Sequence, residues 1–165
     1  MEISIRPYSI TDLPPILEII NHNILHSTAL YDYTVRTLEQ QTAIFQDKLD
    51  KGFPIFVAVC DSQVVGFGYY SEFRFREAYK FTVEHSVYAH PDWQGKGIGK
   101  LLLDELITTA KKQNIHTLIG VIDAENEGSI AFHQRMGFEV KGTLRETGFK
   151  FNRWLHSVFV QRILE

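Results

Sequence analysis

The sequence feature that most constrains the fold is the segment 94–100, in which glycine stands at positions 95, 97 and 99. It follows a predicted strand over residues 82–89 and a Pro91-Asp92-Trp93 turn, and it opens an apolar stripe with helical spacing over residues 97–112. Glycine leaves backbone N–H groups uncovered, and N–H groups at a helix N-terminus attract anions. Lys96 and Lys100 add positive charge. The segment therefore predicts a strand–loop–helix unit with a site for a phosphate-bearing ligand.

The glycine spacing separates this loop from two commoner phosphate loops. The chain contains no G-x-x-x-x-G-K-[S/T] motif of a P-loop, and it has G-x-G-x-G where a dinucleotide-binding fold has G-x-G-x-x-G. The pattern [Q/R]-x-x-G-x-[G/A], met by Gln94, Gly97 and Gly99, resembles the pyrophosphate loop of the GNAT superfamily of acyl-CoA-dependent N-acetyltransferases. The alternative is a glycine-rich turn that only begins a helix.

Length and charge limit the class of protein. A chain of 165 residues predicts one domain, 1–165, large enough to bury a substantial core. The net charge of −3 and the lack of any run of Lys or Arg argue against a nucleic-acid-binding protein. No apolar segment has the length of a membrane span, and the N-terminus lacks the apolar core of a signal peptide. We therefore expect a cytoplasmic protein whose partners include neither nucleic acid nor a membrane.

Residues that bind metals or form disulfides are sparse. Cys60 is the only cysteine and stands in the apolar run 55–60, which predicts a buried structural thiol and excludes an internal disulfide. His22 and His26 are spaced to share one face of a helix, but no third ligand accompanies them. We expect no metal site, and we interpret the two histidines as solvent-facing or interface residues.

Hydrophobic periodicity and turn residues divide the chain into elements in the order β-α-α-β-β-β-α-β-α-β-β. The strands are predicted over residues 3–6, 55–60, 64–73, 82–89, 118–122, 140–149 and 154–163. The helices are predicted to begin near Thr11 or Asp12, at 37, at 97 and at 129, and the last one ends at Gly137. This order predicts an α+β domain with a mixed, mostly antiparallel central sheet flanked by helices.

The predicted strand over residues 82–89 carries a carboxylate near its centre. Alternation places Glu84 on one face among hydroxyl side chains and His85 on the other face among apolar ones. A buried carboxylate is unfavourable unless it is paired or catalytic. Arg74 and Arg76, which we place at the end of the preceding strand, are candidates either to bind a substrate oxyanion or to pair with Glu84. For His85, either a bulge shifts the alternation or the imidazole is buried and hydrogen-bonded.

Three further segments carry a resemblance to one branch of GNAT. They read TVEHSVY over 82–88, IDAEN over 122–126 followed by Ser129, Ile130 and His133, and GFKF over 148–151 followed by Arg153 and Trp154. With the glycine loop they resemble the phosphinothricin (methionine sulfoximine and sulfone) N-acetyltransferase family from about residue 5 to residue 163. The resemblance implies the three-layer GNAT fold, acetyl-CoA as cosubstrate, a small-molecule amine as second substrate and a homodimer.

The resemblance also implies roles for individual residues. Glu84 would be the general base, and His133 would either donate a proton to the leaving thiolate, pack against the cofactor or lie on the helix surface. The residues at cofactor-binding positions are Val87, Tyr88, Ala89, Gln94, Gly95, Lys96, Gly97, Ile98, Gly99, Lys100, Asn126 and Ser129. The residues at substrate-contact positions are Arg74, Phe75, Arg76, Glu84, His85 and Ser86. His156 departs from the family, which usually has Asp two residues after the tryptophan.

The implied reaction requires a base and an oxyanion donor. An amine attacks a thioester only when it is neutral, so Glu84 would take its proton and the acetyl group would pass directly to the amine. The N–H of Val87 or Tyr88 would stabilise the oxyanion. We predict an N-acetyltransferase for the α-amine of phosphinothricin, methionine sulfoximine or methionine sulfone. The alternatives are acetylation of a peptide or protein amine, and a non-catalytic acyl-CoA-binding sensor.

Overall fold

The computed structural model describes residues 2–165, which form one seven-stranded sheet with helices on both faces. The strands are β1 (Ser4–Pro7), β2 (Ile55–Cys60), β3 (Gln63–Glu72), β4 (Thr82–Ala89), β5 (Thr117–Asp123), β6 (Glu139–Lys150) and β7 (Arg153–Ile163). The helices are α1 (Leu13–His26), α2 (Leu38–Asp50), α3 (Ile98–Lys112) and α4 (Glu127–Arg135). The predicted order of elements and the predicted fold class are confirmed.

The strand order in the sheet is β1-β2-β3-β4-β5-β7-β6, and only the β4–β5 pair is parallel. That pairing joins Thr82–Glu84 to Thr117–Ile119 and then stops, while β4 continues to Ala89 and β5 to Asp123. The two strands therefore diverge at the centre of the sheet. Their facing edges beyond Glu84 carry backbone groups that the ladder does not pair.

The helices cover the sheet because each buries one apolar face. Helix α3 packs on one side through Leu102, Leu103 and Leu106, whose side chains are fully buried. Helices α1 and α2 pack on the other side, where Ile16 and Phe45 belong to a second core cluster. Burying a leucine-sized side chain contributes roughly 1.5–3 kcal/mol, so both faces contribute to stability. No helix within residues 2–165 is both long and apolar enough to cross a membrane.

Local signals explain several boundaries. Helix α2 begins with a capping box, in which the Thr37 hydroxyl accepts from the Gln40 N–H at 3.1 Å and the Gln40 side chain accepts from the Thr37 N–H at 2.9 Å. The β2–β3 hairpin turns on Asp61 and Ser62, whose φ angles of 47° and 67° suit a two-residue turn. Gly137 follows α4 with φ of 85°, as predicted for a helix-ending glycine.

One local prediction was wrong. Strand β3 ends at Glu72, so Arg74 and Arg76 lie in the following loop rather than on a strand, and strand alternation does not give them a common face. The predicted start of α1 is confirmed, since Asp12 is its N-cap residue, although the Asp12 side chain makes no capping hydrogen bond. It accepts instead from the Ser9 N–H and from both terminal nitrogens of Arg6 at 2.8 Å, because a guanidinium binds a carboxylate through two parallel hydrogen bonds.

Candidate active site

The main cavity opens where β4 and β5 diverge. It has a volume of about 1040 Å³ and extends from the glycine loop and α4 on one side to the loop Thr28–Tyr31 on the other. Glu84, Val87 and Asp123 lie on its walls. One cleft therefore extends from the segment after α1 to the glycine loop before α3, through the gap between β4 and β5.

Backbone direction decides which β4 groups face the cleft. Just after β4, the His90 N–H donates to the carbonyl of Val65 in β3 at 2.8 Å. Backbone directions alternate along a strand, so the N–H of Tyr88 also faces β3, opposite Phe67. Val87 and Ala89 therefore turn their backbone groups toward the gap. Of the two predicted oxyanion donors, only Val87 presents its N–H to the cleft. The side chain of Tyr88 stacks on Phe67 instead, with ring centroids 5.1 Å apart.

The glycine loop forms an open anion-binding cradle. Gly95 and Gly97 have φ angles of 74° and 80°, and a Cβ placed on either would meet no atom within 4 Å. Gly97 is the N-cap of α3, and no side chain caps that helix. The first N–H groups of α3 therefore have no capping side chain, which leaves them available to an anion. The cradle fits a diphosphate.

The lysines of the loop have other partners. Lys100 pairs with Asp104 at 2.6 Å, and the ammonium of Lys96 lies 4.4 Å from the ring centroid of Trp93. Both side chains are exposed, so an anion in the cradle would gain only a screened attraction from them. The main contribution of the loop is therefore its backbone.

Helix α4 brings two of the predicted cofactor residues to the rim of the cleft. The Asn126 side chain caps the helix by accepting from the Ser129 N–H at 3.1 Å. Its amide nitrogen stays free to donate toward the cleft, which Asn126 and Ser129 both line. The capping bond fixes this orientation, because the oxygen is already engaged.

Glu84 is half-buried on the cleft wall and belongs to no ion pair within 4.0 Å among residues 2–165. This excludes the alternative in which Glu84 is a structural partner of Arg74 or Arg76. Burial raises the pKa of the Glu84 carboxyl above its ordinary value, and the positive charges of Lys48 and Arg74 oppose that rise. The group is an unpaired carboxylate that accepts protons more readily than an exposed one.

The loop with Arg74, Phe75 and Arg76 lies outside the walls of the main cavity. Phe75 is 85% exposed, and the guanidinium of Arg74 lies 5.3 Å from the ring centroid of Phe73. The structure therefore does not bring this trio to the cleft that Glu84, His85 and Ser86 line, although the charge of Arg74 reaches Glu84. Their substrate role stays a prediction.

His85 and His133 form a buried pair at the base of the cleft. Their Nε2 atoms lie 2.9 Å apart, and the β3–β4 register continues past His85 without a bulge. The interpretation of His85 as a buried, hydrogen-bonded residue is confirmed. Gly120 on β5 makes the space, because a Cβ there would lie 3.0 Å from the His85 ring. His133 is also buried, which excludes a helix-surface role.

The hydrogen bonds of the pair fix where its protons lie. The Nδ1 of His133 is 2.7 Å from the Ser129 carbonyl, which only accepts, so Nδ1 carries the proton and Nε2 accepts from His85. Burial lowers the pKa of His85 to about 3. The neighbouring His133 adds to this lowering, and a backbone hydrogen bond with Ile119 opposes it. Burial also lowers the pKa of His133. Both rings are therefore neutral at pH 7, and neither proton of the pair points into the cleft.

The sequence did not single out the residues that hold the loop Thr28–Tyr31. Asp123, buried at the end of β5, bonds the Thr28 hydroxyl and accepts from the Glu125 N–H at 3.2 Å. An acidic residue at the end of an apolar strand is the only local signal of this role. Its partner is 95 residues away in the chain, which no local pattern shows.

Lys150 is a second support for the same loop. Its buried ammonium donates to the carbonyls of Ser27 at 2.7 Å and Leu30 at 2.6 Å. Burial lowers the pKa of Lys150. Next to it, the hydroxyl of Tyr33 donates to the Phe149 carbonyl. The β6–β7 hairpin thus holds the segment after α1 in place at the edge of the cleft.

His156 has a structural contact in this chain. Its Nδ1 accepts from the Glu146 N–H at 2.8 Å, where the β6–β7 register shifts between Leu144 and Gly148. It does not line the main cavity.

His22 and His26 are exposed neighbours on α1, and residues 2–165 contain no group of three or more potential ligands close enough to hold a metal ion.

Comparison with known proteins identifies the family. Residues 21–138 match the acetyltransferase (GNAT) family. The chain belongs to this family. It is therefore an acetyl-CoA-dependent acyltransferase.

Individual GNAT proteins resemble the chain over its whole length. An L-methionine sulfoximine/L-methionine sulfone acetyltransferase of Pseudomonas aeruginosa is 39% identical over 100% of this chain and 96% of its own. A phosphinothricin acetyltransferase of Sinorhizobium meliloti, solved in complex with acetyl-CoA, superposes with a TM-score of 0.96 at 38% identity, over 99% and 89% of the two chains. A structure from Brucella melitensis named ribosomal-protein-alanine N-acetyltransferase has a TM-score of 0.96 at 40% identity, over 98% and 99%.

Proposed function

We propose that this protein transfers the acetyl group of acetyl-CoA to the α-amine of a small amino-acid-like substrate of the methionine sulfone, methionine sulfoximine or phosphinothricin type. The observation that carries the proposal is Glu84, an unpaired, half-buried carboxylate on the wall of the cleft. The activity for which the Pseudomonas relative is named supports the substrate class.

The proposed chemistry assigns one task to each group. Acetyl-CoA supplies a thioester carbonyl carbon that a neutral amine attacks, and the C–S bond then breaks to release the coenzyme A thiolate. Glu84 takes the amine proton, directly or through a water, and its raised pKa suits that task near neutral pH. The N–H of Val87 stabilises negative charge on the carbonyl oxygen. Direct transfer, without an acetylated cysteine as an intermediate, is supported because Cys60, the only cysteine, is buried in β2 away from the cleft.

The cofactor residues in the proposal are those already placed around the gap. The cradle formed by residues 94–100 binds the diphosphate, the β4 edge at Val87 and Ala89 pairs with the pantetheine arm, and Asn126 and Ser129 contact it from α4. We propose that His133 packs against this arm and does not donate a proton, since its Nδ1–H is held by the Ser129 carbonyl.

The remaining parts of the proposal concern the substrate end and the assembly. Ser86 and Glu84 contact the amine, and Arg74 with its loop binds the substrate carboxylate after moving toward the cleft or from a neighbouring copy. The exposed rings of Phe149 and Trp154, whose centroids lie 5.0 Å apart on the β6–β7 hairpin, form an apolar patch that supports a homodimer, because exposed apolar patches mark interfaces. A cytoplasmic location stays a prediction.

The test is a thiol-release assay with acetyl-CoA and a panel of amines. We expect release with methionine sulfone, methionine sulfoximine or phosphinothricin and none with their N-acetylated forms. The name of the Brucella structure favours one alternative, acetylation of a protein N-terminal alanine. Release with an alanine-terminated peptide but with no free amino acid would replace the proposed function by that alternative.

A further inference from the structure

A second, smaller cavity lies on the α1–α2 side of the sheet and adjoins the active-site cleft. Its volume is about 140 Å³, and it shares Leu30, Tyr69 and Tyr88 with the main cavity. Tyr88 and Glu84 are on the same face of β4, and Tyr69 pairs with Ser86 between them. The smaller cavity therefore adjoins the face on which the amine must meet Glu84.

One wall of this cavity carries an orphaned donor. Gln41 is fully buried, and its side-chain oxygen accepts from Nη1 of Arg36 at 3.0 Å. Its amide nitrogen has no hydrogen-bond partner. A buried polar atom without a partner is unfavourable and rare in folded proteins, so it marks a place where a ligand or water completes the bonding.

The charged groups of the cavity are cations. Asp32 pairs with Arg36 along one edge of the guanidinium, which leaves the Nη1 edge turned to Gln41. The Lys48 ammonium lies 4.7 Å from the ring centroid of Tyr69, and among residues 2–165 no carboxylate is within 4.0 Å of it. The other walls are mainly apolar, contributed by Ile20, Ile44, Phe45 and Phe67.

We propose that this cavity binds the distal oxygen-bearing group of the acceptor side chain, a sulfone, sulfoximine or phosphinate, through Gln41, Arg36 and Lys48. The proposal rests on the proposed function and adds to it the residues that select the side chain. All three groups donate hydrogen bonds, and such a distal group offers acceptor oxygens. A volume of about 140 Å³ exceeds the roughly 30 Å³ share of one water, so it admits a group of a few heavy atoms.

The experiment compares two acceptors that differ only in the distal oxygens, methionine sulfone and methionine. Gln41→Glu keeps the size of the side chain and its acceptor for Arg36, while it removes the orphaned donor and adds negative charge. We expect the KM for methionine sulfone to rise about tenfold or more, and the KM values for methionine and acetyl-CoA to change less than twofold. Gln46→Glu, on the exposed face of the same helix, is the matched control and should change none of them.

A second variant on the opposite wall keeps the test decisive if Gln41→Glu fails to fold. Assayed at a pH at which Glu84 is ionised in both enzymes, Lys48→Met should reproduce the selective rise in KM for methionine sulfone. Equal changes for both acceptors in the folded variants, or no change in either, would overturn the assignment of the cavity. If the wild-type protein releases no thiol with any amino acid, the proposed function fails and the cavity assignment falls with it. If the wild-type protein is active and the variants discriminate between methionine sulfone and methionine as the wild type does, only the cavity assignment is overturned.

Discussion

The two ends of the cleft are built in different ways. At the proposed cofactor end, backbone groups dominate, namely the edge of β4 at Val87 and the cradle around Gly95 and Gly97. At the proposed acceptor end, the walls are side chains such as Gln41 and Lys48, both from helix α2, which is far from β4 in the chain. A site formed by backbone groups tolerates changes of side chain as long as the backbone keeps its conformation. In a site formed by side chains, each substitution alters the contacts offered to the ligand. The cofactor end should therefore be common to many acceptors and the acceptor end particular to this chain.

The largest expected effect separates chemistry from cofactor binding. Glu84→Gln should lower kcat by about 10²–10⁴ because the amine loses its base, while acetyl-CoA affinity measured by calorimetry stays within about twofold. Glu72→Gln, an exposed position at the end of β3, should leave kcat unchanged. A Glu84→Gln enzyme with wild-type kcat would remove this carboxylate from the mechanism.

The next effect tests whether the cofactor end depends on backbone shape. Gly97→Ala should weaken acetyl-CoA binding by about tenfold, because a left-handed residue other than glycine is strained by about 1–2 kcal/mol and its methyl group enters the cradle. Gly52→Ala is the matched control, since Gly52 has φ of 81° and an equally open surrounding but lies outside the cleft. Both variants should lose similar stability by urea denaturation, and equal acetyl-CoA affinity in the two would contradict the cradle.

A smaller effect should appear in the pH profile. Glu84 must be ionised to act as base, so kcat/KM falls at acid pH as the carboxyl protonates, and burial places that fall above the ordinary range of a glutamate. Lys48 lowers the pKa of Glu84, so Lys48→Met should move the acid limb to higher pH. Methionine is the suitable acceptor here because it lacks distal oxygens. Lys51→Met, at the exposed C-cap of α2, is the control and should leave the acid limb of the pH profile in place. If the acid limb does not move in Lys48→Met either, the assignment of Glu84 as the base is contradicted.

The smallest effect concerns stability rather than turnover. The pKa of His85 is lowered to about 3 in the folded state, so the unfolded chain binds more protons between that value and about 6.5, and stability falls as pH decreases through this window. His85→Leu should be less stable at pH 7, yet lose less further stability between pH 7 and pH 5 than the wild type does. Urea denaturation at both values measures this, with the exposed His22→Leu as control. An unchanged pH slope in His85→Leu would show that another group governs it.

The strand–loop–helix unit around the glycine loop was predictable because its determinants are contiguous. The glycines at 95, 97 and 99, the strand before them and the helix after them all lie within a few residues of each other. Alternation alone placed Glu84 and His85 on opposite faces of β4 and raised the question of why an imidazole stands in an apolar row. The choice between Val87 and Tyr88 required the register, because alternation of side chains does not say which edge a backbone amide faces.

The acceptor end was not predictable for the opposite reason. The partner of His85 is 48 residues away, and the partner of Thr28 is 95 residues away. Arg74 was expected at the end of a strand because the predicted strand reaches Phe73, but β3 ends at Glu72 and the last backbone bond to β4 runs from the Phe73 N–H to the Thr82 carbonyl at 3.4 Å. Nothing near Gln41 in the sequence shows that its amide is buried without a partner. Contacts of this kind are set by packing between elements, which no window of sequence contains.

The bonds from Lys150 and Phe149 to the segment after α1 have a consequence for biosynthesis. That segment is translated early, yet the carbonyls of Ser27 and Leu30 receive their ammonium donor from a residue 123 and 120 positions later. Domains generally fold as units. Because β7 also supplies Val158 and Val160 to the core on which α3 packs, neither the cleft nor its anchored rim is complete until the final hairpin has left the ribosome.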